Sequence, residues 1–115
     1  MKYTKAPVKA QKKFRDRYGL KFKAGQSTYK IIWCYDLMND DGQSLCGMCH
    51  YQIKTVFIDI KLDEIQETLV HEIFHAEAYE SGMKQVRIFH SDLEELCCEI
   101  ASRVCKNFDL KKKKS

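Results

Sequence analysis

Two histidines four residues apart, with a glutamate directly after the first, are the side chains here best spaced for chemistry: His71-Glu72-Ile73-Phe74-His75. In a helix each residue advances by about 100°, so His75 lies about 40° and Glu72 about 100° round from His71. All three leave one side of the helix, and two imidazoles one turn apart can share a metal ion. With zinc as that ion, a coordinated water becomes acidic near neutral pH. Glu72 is then placed to take its proton as the water attacks a carbonyl. His71 and His75 are the expected zinc ligands, and Glu72 is the expected general base.

The element that must position them is a helix from about Leu62 to Ser81. Leu62, Ile65, Leu69, Ile73 and Ala76 form one apolar face of it, and Val70, Phe74 and Ala78 form a second. The histidines sit on the arc between, and histidine is rarely placed deep in a core without a partner. Asp63 and Glu64 are expected in the first turn, where they complement the helix dipole, and Gly82 is suited to a left-handed cap.

A catalytic zinc usually has a third protein ligand. After the helix come His90, Asp92, Glu94, Glu95 and Glu99. A glycine and then a third histidine soon after the core motif would mark one zincin class, but Ala78 and Ser81 occupy those positions. A glutamate from the next helix is the better candidate. That helix opens at Ser91 and runs to about Asn107, with Leu93, Leu96, Cys97, Ile100, Val104 and Phe108 as its core stripe. Measured from Leu93, Glu94 lies near 100°, beside Ala101 and between Cys97 and Cys105, whose small side chains allow close approach. Glu95 lies near 200°, opposite the stripe and in water. Glu94 is therefore the expected third ligand, although it also stands where a capping-box partner of Ser91 would.

His71-Glu72-x-x-His75 followed by a helix bearing Glu94-Glu95 resembles the gluzincin type of zinc metallopeptidase. The strand-like Lys54-Thr55-Val56-Phe57-Ile58-Asp59-Ile60 just before the motif is similar to small members without a pro-segment. These include the ImmA/IrrE-like peptidases, SprT-like domains and short phage and bacterial metallopeptidases. The likeness spans roughly Tyr51 to Cys105. It implies an α+β, minimal zincin-like domain: an N-terminal helix, a small mainly antiparallel sheet, the active-site helix and a C-terminal glutamate helix. It also implies an edge strand that holds a peptide or protein substrate by backbone pairing.

The remainder supports one domain of 115 residues with a modest core. Met1 to Pro7 reads as a mobile basic arm, Val8 to Tyr18 as a basic helix and Lys21 to Ser27 as a loop. Thr28 to Leu37 reads as a strand, in which Tyr29, Ile31, Trp33 and Tyr35 alternate with Lys30, Ile32, Cys34 and Asp36. Asn39-Asp40-Asp41-Gly42 is a turn, and Tyr51 to Ile60 is a second strand. Cys46-Gly47-Met48-Cys49-His50 matches the c-type haem attachment pattern, but that chemistry needs export and no signal segment is present. A structural zinc site there would need a second ligand pair, so a loop or strand edge with reduced thiols is expected. Cys97, Cys98 and Cys105 read as small buried apolar residues. Without a signal or an apolar run of membrane length, the expected compartment is the cytosol, with no membrane partner.

A zinc-dependent peptidase is the leading functional expectation. The alternative is a catalytically weak zincin-fold module that binds nucleic acid or a regulatory protein through its basic ends. Residues 1–30 carry ten Lys/Arg against the single acid Asp16, and four lysines, Lys111 to Lys114, precede the final Ser115. Such a distribution predicts weak affinity for polyanions that falls steeply as salt rises. Fluorescence anisotropy with a labelled oligonucleotide at two salt concentrations checks this, and no binding at low salt leaves the lysines as a solvated surface.

Overall fold

The computed structural model describes residues 1–81 and 95–102. Along the chain run β1 (Lys2–Lys5), α1 (Val8–Tyr18), β2 (Lys21–Ala24), β3 (Ser27–Met38), β4 (Gly47–His50), β5 (Thr55–Asp59) and α2 (Ile65–Glu80). Residues 95–102 form a further helix, α3. The architecture is α+β, as expected. The five strands form one sheet in the order β1-β3-β5-β4, with β2 also pairing β3. β3 and β5 run parallel, and every other pairing is antiparallel.

β3 is long enough to serve two partners along one edge. Its first part pairs with β2, from Ala24 opposite Ser27 to Lys21 opposite Lys30. Its last part pairs with β1, Lys5 opposite Cys34 and Lys2 opposite Met38. α1 carries the chain from one to the other. The register slips between Lys2 and Thr4, and Asp36, at φ 51°, occupies the bulge on the β3 side. The bulge shifts the alternation by one residue. Tyr29, Ile31 and Trp33 therefore face the helices, while Cys34 and Leu37 share the opposite face with Phe57.

The larger core lies between the sheet and α1 and α2. Tyr29, Ile31, Trp33, Val56, Ile58, Leu69 and Ala76 are buried together, with Phe14, Tyr18, Ile65 and Ile73 packed at the margin. Trp33 is its centre: its ring stacks near Phe14 at 5.7 Å and meets Tyr18 at 5.9 Å, and its Nε1 donates to the Gly19 carbonyl at 3.1 Å. Asp59 is also buried, and its carboxylate accepts from the Leu37 and Lys61 amides, tying the end of β5 to the end of β3.

Several boundaries differ from the expectation for physical reasons. Met1 to Pro7 is not a mobile arm: Lys2–Lys5 is a strand whose side chains are all exposed. With neither face buried it shows no alternation, and backbone pairing supplies the order. Lys21–Ala24, read as a loop, is a short strand whose Phe22 and Ala24 turn into the core while Lys21 and Lys23 face water; four residues are too few for that alternation to stand out in the sequence. Residues Tyr51–Ile53 form a 3-10 turn ended by Lys54 at φ 51°, so the strand begins at Thr55. Glu64 sits at φ 58° and starts α2 one residue later, which removes Asp63 and Glu64 from the first turn and leaves Glu67 as its acid. No helix among the described residues is long and apolar enough to cross a membrane.

Replacing Trp33 by Ala is expected to cost about 3–5 kcal/mol, the range for deleting a large aromatic from a core. Urea unfolding followed by circular dichroism measures it. A cost below about 1 kcal/mol would mean that α1 is not held by this residue.

Candidate metal centre

α2 is clamped at its C-terminal end. Ser27 Oγ, Tyr29 Oη and Lys54 Nζ all donate to the Glu80 carboxylate, the first two at 2.9 and 2.8 Å. These bonds, the one from Lys54 foremost, hold the Glu80 carboxyl below its ordinary pKa. Gly25, at φ 60°, lets the β2–β3 turn approach, since a Cβ there would lie 3.1 Å from Glu80 Cβ. The clamp fixes how far along the sheet each turn of α2 lies, and so fixes His71 and His75.

The other side of α2 is met by β4. A Cβ added at Gly47 would fall 2.8 Å from Thr68 Cγ2 and 3.0 Å from Glu72 Cγ, so only glycine permits this contact. Under it Glu72 is buried, at 7% exposure. Burial pushes its carboxyl up to about 8, and the negative charge of Glu95 adds to the shift. A cation bound nearby acts in the opposite direction.

The imidazoles point away from the sheet toward α3. His71 Nε2 lies 3.1 Å from one Glu95 oxygen, and His75 Nε2 lies 2.9 Å from the other. His71 Nδ1 is 3.5 Å from Glu99, a carboxylate able to fix the ring's tautomer from behind. Donors on a tetrahedral ion with bonds of about 2.1 Å stand about 3.4 Å apart. The spacing around Glu95 is close to that. His71, His75 and the buried Cys98 also form a group whose ligand atoms lie within 4.8 Å of one another. Two imidazole nitrogens, a carboxylate and a thiol are a donor set that suits zinc.

Of the residues singled out in the sequence, His71, His75 and Glu72 lie together. Glu94 lies outside the described residues. Glu95, expected in water, is indeed 57% exposed, yet its carboxylate also spans both imidazoles. The helical register behind that expectation is corrected: Leu96 and Ile100, placed in the core stripe, are 54% and 48% exposed, whereas Cys98 and Ser102 are buried. Charge-assisted contacts to two imidazoles, with small Cys98 and Ser102 at the interface, govern which side of α3 faces α2. The missed signal was the spacing Glu95, Cys98, Glu99, Ser102, which is i, i+3, i+4, i+7 in polar and small residues. Cys98 behaves as the buried small residue expected, Cys97 is only half-buried, and Cys105 lies outside the described residues. Cys46, Cys49 and His50 join no group of three ligand-type side chains among the described residues, and none of the described cysteines is in a disulfide.

A cleft of about 550 Å³ runs beside these groups, lined by Cys46, Gly47, Glu67, Thr68, His71 and Glu72 among others. Its wall, β4, ends the sheet. The Asp59 amide bonds to the Cys46 carbonyl at 2.9 Å, and antiparallel alternation then turns the Gly47 amide and carbonyl away from β5, toward the open edge. Compared with protein-family models, curated proteins and solved structures, the chain matches none.

Ligation by both imidazoles and Glu95 predicts that the His71→Ala, His75→Ala double variant loses zinc and that Glu95→Gln loses it under chelator challenge. Glu94→Gln serves as the comparison. Metal analysis after dialysis reads the outcome; retention by Glu95→Gln with loss by Glu94→Gln would return the role to Glu94.

Proposed function

We propose that this chain is a zinc-dependent metallopeptidase, a hydrolase of peptide bonds held by His71, His75 and Glu95, with Glu72 as general base. The observation that carries the reading is the Glu95 carboxylate lying within 3.1 Å of both imidazole Nε2 atoms, one turn apart on α2. The chemistry a zinc ion supplies there is a more acidic water and stabilisation of negative charge on a polarised carbonyl. Gly47 offers its amide and carbonyl to an extended peptide, which pairs as one more strand and lies along the cleft. Glu72, held against Gly47, takes a proton from the attacking water and delivers it to the departing amine. His71 is steadied by Glu99 behind it.

The cytosol suits this reading, because exposed Cys46 and the other described thiols stay reduced there. The second reading, a binding module for nucleic acid or a regulatory protein, is favoured by the exposed lysines of β1.

The Glu72→Gln variant is expected to keep zinc and the fold while losing turnover by about a hundredfold or more. A broad peptide-cleavage screen of zinc-loaded wild type identifies the substrate on which to measure it. Equal cleavage by both forms would remove Glu72 from the reaction, and a zinc-loaded protein that cleaves nothing but binds an oligonucleotide would favour the binding module.

A further inference from the structure

We propose that Cys98 is a thiolate ligand of the same metal centre, taking the position that a catalytic water would otherwise hold. The inference rests on the zinc-binding reading above and adds a donor that the histidine–glutamate pattern does not contain. Three observations carry it. The Cys98 sulfur lies within 4.8 Å of the ligand nitrogens of both His71 and His75. Cys98 is fully buried, at 0% exposure, on the side of α3 that faces α2. It follows Glu95 by three residues, so both side chains leave one face of α3 toward the same point.

A thiolate bonds zinc at about 2.3 Å, which places it about 3.6 Å from a nitrogen on the same tetrahedral ion. The grouping within 4.8 Å leaves the sulfur and the nitrogens close enough to converge on one ion, and soft sulfur is a preferred zinc donor. The two imidazoles and the thiolate form the group, and with the Glu95 carboxylate against both imidazoles there are enough protein donors to close a coordination shell, as in structural zinc sites. The centre is then latent. Hydrolysis requires the sulfur to leave, taking up a proton from solvent to become the thiol, before a water can enter. Metal affinity and catalytic readiness become opposed properties set by one residue.

The test uses cobalt(II) alone as probe on the full chain. Visible d–d absorption reports that cobalt is bound, and a near-ultraviolet charge-transfer band reports a sulfur ligand. The expected result is both signals in the wild type, with the charge-transfer band lost in Cys98→Ser and kept in Cys97→Ser and Cys46→Ser. Visible absorption without the sulfur band in the wild type overturns the inference and leaves the zinc-binding reading standing, as does a band that persists in Cys98→Ser. No cobalt binding by the wild type overturns both. Where Cys98→Ser does not fold, by circular dichroism, the Cys46→Ser, Cys97→Ser double variant decides: keeping the band supports Cys98 and losing it overturns the assignment.

Discussion

Everything in this molecule depends on how closely α2 is seated on the sheet. Leu69 and Ala76 are buried in the seat, and the small Ala76 side chain brings the helix axis near the strands. Gly47 removes the last obstacle on the β4 side. With larger residues at these places the helix would stand off, the Glu72 carboxylate would be hydrated, and the two imidazoles would move away from α3. Close packing of apolar atoms and the placing of polar ones are here one constraint, because dense interiors tolerate little change of volume.

That seat comes at the expense of burying charge. Glu72 and Asp59 are both carboxylates with little exposure, and they meet the cost differently. Asp59 accepts two backbone amides and acts as a splice between β3 and β5. Glu72 is instead pushed toward its neutral form by the absence of comparable solvation. A well-bonded carboxylate serves structure, and a poorly solvated one is ready to exchange a proton.

What could be read directly from the residues was whatever announced itself through apolar periodicity. β3 and β5 are rich in β-branched and aromatic residues, and α1 and α2 have helical spacing, so all four were found, α1 and β3 to within a residue and β5 and α2 with starts three or four residues too early. β1 was missed because it is exposed on both faces and backbone pairing alone makes it a strand, and β2 because its inward Phe22 and Ala24 are too short a pattern to mark one. The His71, Glu72 and His75 trio was visible because its spacing is rigid. The third carboxylate was not, because apolar residues were assumed to choose the buried face of α3. Leu96 and Ile100 stay exposed while Cys98 and Ser102 are buried, with the partly exposed Glu95 and Glu99 reaching the imidazoles from the rim.

The bulge at Asp36 means that β3 is written in two frames. Up to Cys34 its odd-numbered positions serve the helical layer, and beyond Asp36 an odd-numbered residue, Leu37, belongs to the opposite layer. The two halves of the strand are therefore phased independently. A single-residue deletion at the bulge would restore one uniform phase and still leave Leu37 on the face of Cys34 and Phe57, now two positions after Cys34. The same deletion two residues earlier would spare the bulge but scramble the phase at Trp33. The bulge is therefore a place in β3 where a residue can be lost without changing which layer its neighbours face.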